Sequence, residues 1–146
     1  MLDIRQLRED PERIKTRLQT RGGESWRLVD EVLACDERRR AGETEKQTLQ
    51  GDRNRLSKDI GAMKKEGKDS SELETTVRGI GERIKAIGEE ADAAEAGQTS
   101  TLLQIPNLPH AACPVGSDET ANPVVRDWGK KPEFTFAPKD HVEIGT

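Results

Sequence analysis

Residues 49–87 read LQGDRNRLSKDIGAMKKEGKDSSELETTVRGIGERIKAI. Apolar residues recur at three- and four-residue spacing on both sides of a short segment rich in glycine, lysine, aspartate and serine. Such spacing is typical of amphipathic helices that pack along a narrow seam, and the short segment has the composition of a turn. The stretch therefore predicts two helices joined by a turn between Lys64 and Ser71.

The same periodicity continues outward from the turn in both directions. The first helix carries the seam positions Val32, Cys35, Arg39, Gly42, Lys46, Leu49, Arg53, Leu56, Ile60 and Met63. The second helix carries the seam positions Leu73, Val77, Ile80, Ile84, Ile87, Ala91, Ala94, Gln98, Thr101 and Ile105. These frames predict one antiparallel two-helix coiled-coil hairpin over about residues 25–104. Helices of roughly 38 residues make an arm of about 57 Å at a rise of 1.5 Å per residue.

The facing residues of the hairpin follow from pairing the two frames outward from the turn. Leu56 then faces Ile80, Leu49 faces Ile87 and Gly42 faces Ala94. At the edge of the seam, on the g flank, Asp52 is placed to face Arg83.

Shorter elements are expected at both ends of the hairpin. Asp10 and Pro11 form a helix start and Gly22 ends that helix, so one short N-terminal helix is predicted. Beyond Ile105, six prolines rule out another long helix and leave extended segments and turns. The candidate strands in this C-terminal part are Pro123–Trp128 and Glu133–Phe136, which have few apolar partners of their own.

Composition supports a mainly α-helical, elongated arm rather than a globule. Apolar residues make up 32% of the chain, aromatic residues 3% and charged residues 36%, which is too little apolar surface for a large core. The net charge of -4 excludes a uniformly basic nucleic-acid binder, so local patches have to be considered.

No apolar run is long enough for a membrane span, and a cytoplasmic protein is expected. Cys35 and Cys113 have no partners at ligand spacing, so reduced thiols and no metal site are expected.

Three stretches carry a resemblance to a known family. MLDIR opens the chain, RNRLSKDIG occupies Arg53–Gly61, and IPNLPH occupies Ile105–His110. The order continues with Pro114-Val-Gly116, Asp118-Glu119, Asn122, Trp128-Gly129 and Lys139-Asp-His141. In this order and spacing, the chain resembles bacterial seryl-tRNA synthetase from its first residue to its last, in the N-terminal region that contains the tRNA-binding arm.

The resemblance implies a role for each part of the chain. Residues 1–104 would form the N-terminal helical arm that binds the long variable arm of serine tRNA. Residues 105–146 would be the linker and the start of a class II catalytic domain that this chain lacks. In the family, that domain forms seryl-adenylate from serine and ATP with Mg²⁺, transfers serine to tRNA and forms the homodimer. Catalytic residues and cofactors are therefore expected outside this chain, which would be inactive alone. Gly42 departs from the family pattern, in which a leucine is usual.

One flank of the predicted arm is the better candidate for contact with RNA. If Arg53 and Ile84 occupy heptad position a, the e and b positions of the outer arm, from Gln47 to Lys64 and from Arg78 to Gly88, contain no acidic residue. The opposite g flank carries Glu45, Asp52, Asp59 and Glu66. Since phosphate binding requires cations free of nearby carboxylates, the e and b flank is favoured. The candidate tRNA-binding residues, including two lysines at f, are Asn54, Ser57, Lys58, Lys64, Lys65, Arg78 and Lys85.

Two other functions fit the helices taken alone. A structural or prefoldin-like helical hairpin also exposes two long helices, although it has no reason to carry the segment from Ile105 to His141. A free-standing paralogue of the arm would bind tRNA without aminoacylation.

His110 and His141 have no nearby serine, cysteine or acid arrangement that defines a catalytic site, so structural roles are assigned to both.

Overall fold

The computed structural model describes residues 1–145 and is helical, with no strand among those residues. The chain separates into two compact units, Met1–Val115 and Gly116–Thr146. The helices are α1 (Ile4–Glu9), α2 (Pro11–Gln19), α3 (Leu28–Lys65), α4 (Ser71–Gln104) and α5 (His141–Gly145), with short 3-10 turns at Ser25–Arg27 and Glu119–Ala121.

Helices α3 and α4 form the predicted hairpin, and the turn between them lies within the predicted bounds. Every one of the twenty predicted seam positions is buried or half-buried, whereas most residues between them are exposed. Gly67 adopts a φ of 70° in the turn, a conformation that favours glycine. The prediction of a helical hairpin is thus confirmed down to the residues that form its seam.

Burial along the seam decreases from the base of the hairpin to its tip. Near the base, Val32 and Ile87 are 0% and 1% exposed, and Ala91 is 3% exposed. Towards the tip, Leu56 and Ile80 are only half-buried because the two helices have nothing but each other to pack against. The base is therefore the well-packed part of the arm.

The register of the hairpin differs from the predicted one. A Cβ atom built on Gly42 would lie 3.3 Å from the Cβ atom of Ala91 and 3.5 Å from Cγ2 of Ile87. The nearest residues of α4 are therefore Ala91 and Ile87, and not Ala94 as predicted. In an antiparallel pair of constant register, a three-residue step on one helix has to face a three-residue step on the other. The predicted pairing matched three-residue steps with four-residue steps. With Gly42 facing Ala91 the steps match along both frames.

The facing of Asp52 and Arg83 predicted at the edge of the seam is not the contact that the structure shows. Arg83 donates from Nε and Nη2 to Glu45, at 3.1 and 3.0 Å, and not to Asp52. Asp52 instead accepts from Arg55 on its own helix at 2.9 Å. Glu45 and Arg83 still lie on the predicted g flank of each helix, so the assignment of the flank holds.

The N-terminal segment forms two short helices where one was predicted. Asp10 accepts from the backbone amide of Arg13 at 3.1 Å and so caps α2, as expected, but the same residue also ends α1. Helix α1 has six residues and is capped by Asp3, which accepts from the amide of Arg5 at 2.8 Å. A helix this short has too few turns to give a periodic signal.

The core of the first unit lies at the base of the arm, where both short helices pack on the hairpin. It consists of Leu2, Leu7, Ile14, Leu18, Val29, Val32, Leu102 and Ile105. Trp26, in the 3-10 turn that leads into α3, packs against this cluster. The core therefore joins the first helices, the start of α3 and the end of α4.

The second unit, described up to Gly145, has little regular structure. Asp118 caps the Glu119–Ala121 turn through the amide of Thr120, at 2.9 Å. The strands predicted at Pro123–Trp128 and Glu133–Phe136 are absent from the described residues, which offer them no neighbouring strand for ladder hydrogen bonds. Val125 and Trp128 are 96% and 91% exposed.

Candidate nucleic-acid interface

The outer arm has two chemically different flanks, and one cross-helix ion pair on each flank identifies them. On the e and b flank, Lys64 Nζ lies 2.8 Å from Glu74 Oε1. On the g flank, Arg83 pairs with Glu45. Pairs that join e to e and g to g across the seam are those that an antiparallel arrangement produces. The two predicted flanks therefore exist as separate surfaces in the structure.

All seven predicted tRNA-binding residues are exposed, and they lie along the outer arm on α3 and α4. Ser57 donates its hydroxyl hydrogen to the carbonyl of Arg53 at 2.7 Å, which leaves its oxygen able to accept another bond. Lys85 lies 3.9 Å from Glu89 on its own helix, at the limit of an ion pair. Asn54, nearer the middle of α3, has its amide open to solvent.

Three of the candidate cations have no ion pair within residues 1–145. They are Lys58 and Lys65 on α3 and Arg78 on α4. Because their charge is not neutralised by a carboxylate of the described chain, it is available to an anion from outside. Arg55 and Arg83, by contrast, are paired with acids on the opposite flank.

An acidic residue, Glu74, was missed on the favoured flank. It occupies heptad position e of α4, one turn closer to the tip than the positions that the sequence analysis considered. Lys64 and the Ser70 hydroxyl both donate to its carboxylate, each at 2.8 Å, and they hold the pKa of that carboxyl below its ordinary value. Extending the heptad by one more turn would have found it.

The strip without carboxylates has clear limits along the arm. At the base, acidic residues occupy several e and b positions, namely Glu43 on α3 and Asp92 and Glu95 on α4. At the tip it ends at the pair of Lys64 and Glu74. Between these limits, residues 47–64 of α3 span about 26 Å at 1.5 Å per residue. The surface is thus long enough for several consecutive phosphates.

The segment after α4 is held against the N-terminal helices by contacts that the sequence did not reveal. Arg21 Nη1 donates to the carbonyl of Asn107 at 2.9 Å, and Arg17 donates to the carbonyl of Pro109. The N-terminal amino group of Met1 lies 3.3 Å from Asn107 Oδ1. The family-like segment at Ile105–His110 is therefore fastened to the base of the arm.

A buried carboxylate connects three helices at this base. Asp36 on α3 has a side chain that is 2% exposed, and its closest cation is Arg8 of α1, with Nε at 3.0 Å. Arg39 and Arg40 approach it at 3.6 and 3.9 Å, and the Gln98 amide of α4 donates to it at 3.4 Å. A buried charge is tolerated only with such partners, so Asp36 fixes α1 and α4 to α3.

Other groups with chemical potential have ordinary surroundings. Among residues 1–145, no three histidine, cysteine or acidic side chains are grouped as metal ligands. Both cysteines are free thiols, Cys35 buried and Cys113 exposed. His110 Nδ1 accepts from the amide of Ala112 at 3.1 Å, which fits a local structural role. No helix of the described chain is long and apolar enough to cross a membrane.

Comparisons with known proteins agree with the helical fold and identify a family. Residues 1–109 match the family model described as the seryl-tRNA synthetase N-terminal domain. A serine–tRNA ligase of Akkermansia muciniphila is 57% identical over 144 residues, which cover 99% of this chain and 34% of the relative. A serine–tRNA ligase of Burkholderia thailandensis is 44% identical over 147 residues, which cover 100% of this chain and 33% of the relative.

A solved structure gives the same result at the level of the fold. The crystal structure of seryl-tRNA synthetase from Pyrococcus horikoshii complexed with ATP superposes with a TM-score of 0.83 and 36% sequence identity, over 88% of this chain and 29% of that one. The chain spans about a third of the length of these curated relatives. Because the family match covers most of the chain and includes the whole hairpin, the chain belongs to the seryl-tRNA synthetase N-terminal domain family.

Proposed function

We propose that this chain is the tRNA-binding N-terminal part of a serine–tRNA ligase and that the e and b flank of its outer arm binds the long variable arm of serine tRNA. The observation that carries the proposal is a strip of α3 and α4 that lies between acidic ends and carries Arg78, with Lys58 and Lys65 at the adjoining f positions. None of these three cations has an ion pair among residues 1–145. Phosphate contacts supply much of the affinity of a protein for nucleic acid, and they need cations that no carboxylate neutralises.

Neutral groups on the strip add to this chemistry. Asn54 and Ser57 offer an amide and a hydroxyl that bond to phosphate or ribose, and both are exposed one turn apart. Gly61 follows on the same flank, and a Cβ atom built there meets nothing within 4 Å. An RNA backbone can therefore approach α3 closely at this point. Lys58, Lys65 and Arg78 surround the neutral groups, and Lys85 extends the strip towards the base.

The opposite flank is unsuited to RNA because its exposed acids repel phosphate. Glu45, Asp52, Asp59 and Glu66 follow one another along the g positions of α3. Their cationic partners Arg55, Lys68 and Arg83 are already occupied. RNA would thus contact the arm from one side only, and the g flank would face solvent or protein.

The remaining tasks of the enzyme are assigned to a domain beyond this chain. In the proposed whole protein, residues 105–146 link the arm to a class II catalytic domain that uses serine, ATP and Mg²⁺, and that domain forms the homodimer. The boundary proposed near residue 104 is supported by the end of α4 at Gln104, whereas the compact units divide later, between Val115 and Gly116. Such an enzyme works in the cytoplasm, where its tRNA substrate is found. The 146-residue chain alone is expected to give no serine-dependent ATP–pyrophosphate exchange above a protein-free control.

The test of the proposal is binding of the 146-residue chain to serine tRNA, with and without the long variable arm. Fluorescence anisotropy with labelled tRNA measures both affinities at the same salt concentration. The intact tRNA is expected to bind more tightly than the shortened one. Equal affinities would contradict recognition of the variable arm, and a prefoldin-like hairpin would give weak binding to both.

A further inference from the structure

The tip of the arm contains a cation that the protein itself neutralises. Lys64 lies on the e and b flank between Gly61 and Lys65, and its ammonium group contacts the Glu74 carboxylate at 2.8 Å. The carboxylate is held in place by a second donor, the hydroxyl of Ser70, also at 2.8 Å. Ser70 is 6% exposed, so its position is fixed by the turn. The Glu74 carboxylate is therefore held in place by two donors, the Ser70 hydroxyl and the Lys64 ammonium group.

This arrangement places an anion where RNA would place a phosphate. Carboxylate and phosphate oxygens accept the same charge-assisted hydrogen bonds from an ammonium group. Side-chain exposures of 61% for Lys64 and 47% for Glu74 leave the pair in contact with water, where ion pairs are weak. A phosphate can therefore displace Glu74, but it has to compete with it. The neighbouring Lys58 and Lys65 have no such competitor among residues 1–145.

Resting on the proposed function, we propose that Glu74 is an autoinhibitory residue of the RNA-binding flank: it occupies Lys64 in the free protein and is exchanged for a backbone phosphate when RNA binds. Its effect is to lower the affinity of the tip for any polyanion. RNA that reaches only the tip gains little, because Lys64 is already satisfied. RNA that follows the whole strip adds the contacts of the unpaired cations and remains bound.

The proposal is tested by a double-mutant cycle on the 146-residue chain. Glu74→Gln keeps the shape of the side chain and the bond from Ser70 but removes the charge that holds Lys64. Affinity for serine tRNA is measured for the wild type, Glu74→Gln, Lys64→Gln and the double variant at one salt concentration. Glu74→Gln is expected to strengthen binding about two- to fivefold, which is the range for releasing one exposed ion pair.

The cycle separates this contact from the general effect of removing a negative charge. In the Lys64→Gln background, Glu74→Gln is expected to change the affinity no more than Glu66→Gln does in the wild type. Glu66 is the matched control because it also lies at the tip and pairs with a lysine, Lys68, at 2.6 Å on the other flank. An equal gain from Glu74→Gln in both backgrounds, or no gain in either, would overturn the proposal.

A second ligand separates the test of Glu74 from the test of the proposed function. The same cycle with polyuridylate at low salt requires phosphate but no recognition of serine tRNA. If the wild type binds polyuridylate but does not discriminate serine tRNA, the proposed function fails while the cycle still tests Glu74. Coupling between Lys64 and Glu74 in that cycle supports the exchange, and its absence overturns it. Circular dichroism establishes that all four proteins remain helical.

Discussion

Replacing Asp36 with alanine removes the carboxylate that joins three helices at the base of the arm. Gln98 is 7% exposed, and its amide donates to Asp36 Oδ1 at 3.4 Å. The change leaves this buried amide without its acceptor. It also leaves Arg8 without its partner at 3.0 Å, although the Arg8 side chain is 36% exposed and can return to water. We therefore expect α1 and α4 to lose part of their attachment to α3.

The magnitude follows from these two losses. A buried group left without its hydrogen-bond partner costs about 1–3 kcal/mol. The bond from Arg8 is charge-assisted, but its contribution is discounted to about 1 kcal/mol because the guanidinium is more than a third exposed. Asp36→Ala is thus expected to lower the free energy of unfolding by about 2–4 kcal/mol. The matched change Asp52→Ala removes an exposed pair with Arg55 and should cost less than about 0.5 kcal/mol.

The assay is urea unfolding followed by circular dichroism, with the double variant of Arg8→Ala and Asp36→Ala completing a cycle. Arg8→Ala alone leaves a carboxylate that is 2% exposed with Arg39 and Arg40, at 3.6 and 3.9 Å, as its remaining cations, so it should also be destabilising. The loss of unfolding free energy in the double variant should be smaller than the sum of the losses in the two single variants, by about 1 kcal/mol or more. If Asp36→Ala cost no more than Asp52→Ala, the account of the base as a charge-fixed junction would be wrong.

Three further predictions concern single contacts. Gly51→Ala should raise the free energy of unfolding by up to about 1 kcal/mol, because a Cβ atom there meets nothing within 4 Å. Gly42→Ala should raise it by less, because the new Cβ atom would lie 3.3 Å from the Cβ atom of Ala91. Equal thermal stabilisation by the two variants would contradict this packing. Arg21→Ala should speed amide hydrogen exchange in the segment after α4 without affecting α3, and unchanged exchange would mean that this bond does not hold the segment. Lys64→Gln should return the lowered pKa of Glu74 towards its ordinary value in a pH titration by NMR; in the wild type the ion pair is complete above the ordinary carboxyl pKa and is lost as the pH falls through the lowered one, so an unchanged pKa would refute the pairing.

The seam of the hairpin was predictable because periodicity reports directly which face of a helix is buried. The pattern of burial alone does not give the register, since either pairing of the frames buries the same residues. The contact between Gly42 and Ala91 decides it, and the requirement that equal steps face each other would have given the same answer from the sequence. Helix α1 escaped notice because six residues do not display a period.

The chemistry of the flanks was predictable in part. Heptad positions separate the acids of the g flank from the cations of the other flank, and the structure keeps this separation. The pairing of Lys64 with Glu74 departs from this separation, because Glu74 lies at position e of α4, one turn closer to the tip than Arg78. The roles of Arg17, Arg21 and Asp36 depend on contacts between residues far apart in the chain, and no local pattern in the sequence marks them.

The most direct test of the central claim compares the salt dependence of serine tRNA binding for two triple variants of equal charge. One variant replaces with glutamine Arg78 of the favoured flank together with Lys58 and Lys65 at the adjoining f positions, which have no ion pair among residues 1–145. The control replaces with glutamine the ion-paired cations Arg55, Lys68 and Arg83. Loss of three phosphate contacts should flatten the slope of log affinity against log salt by roughly two to three units in the first variant, and the control should keep nearly the slope of the wild type. Equal flattening in both variants, or a wild-type slope in the first, would contradict the assignment of this flank to RNA.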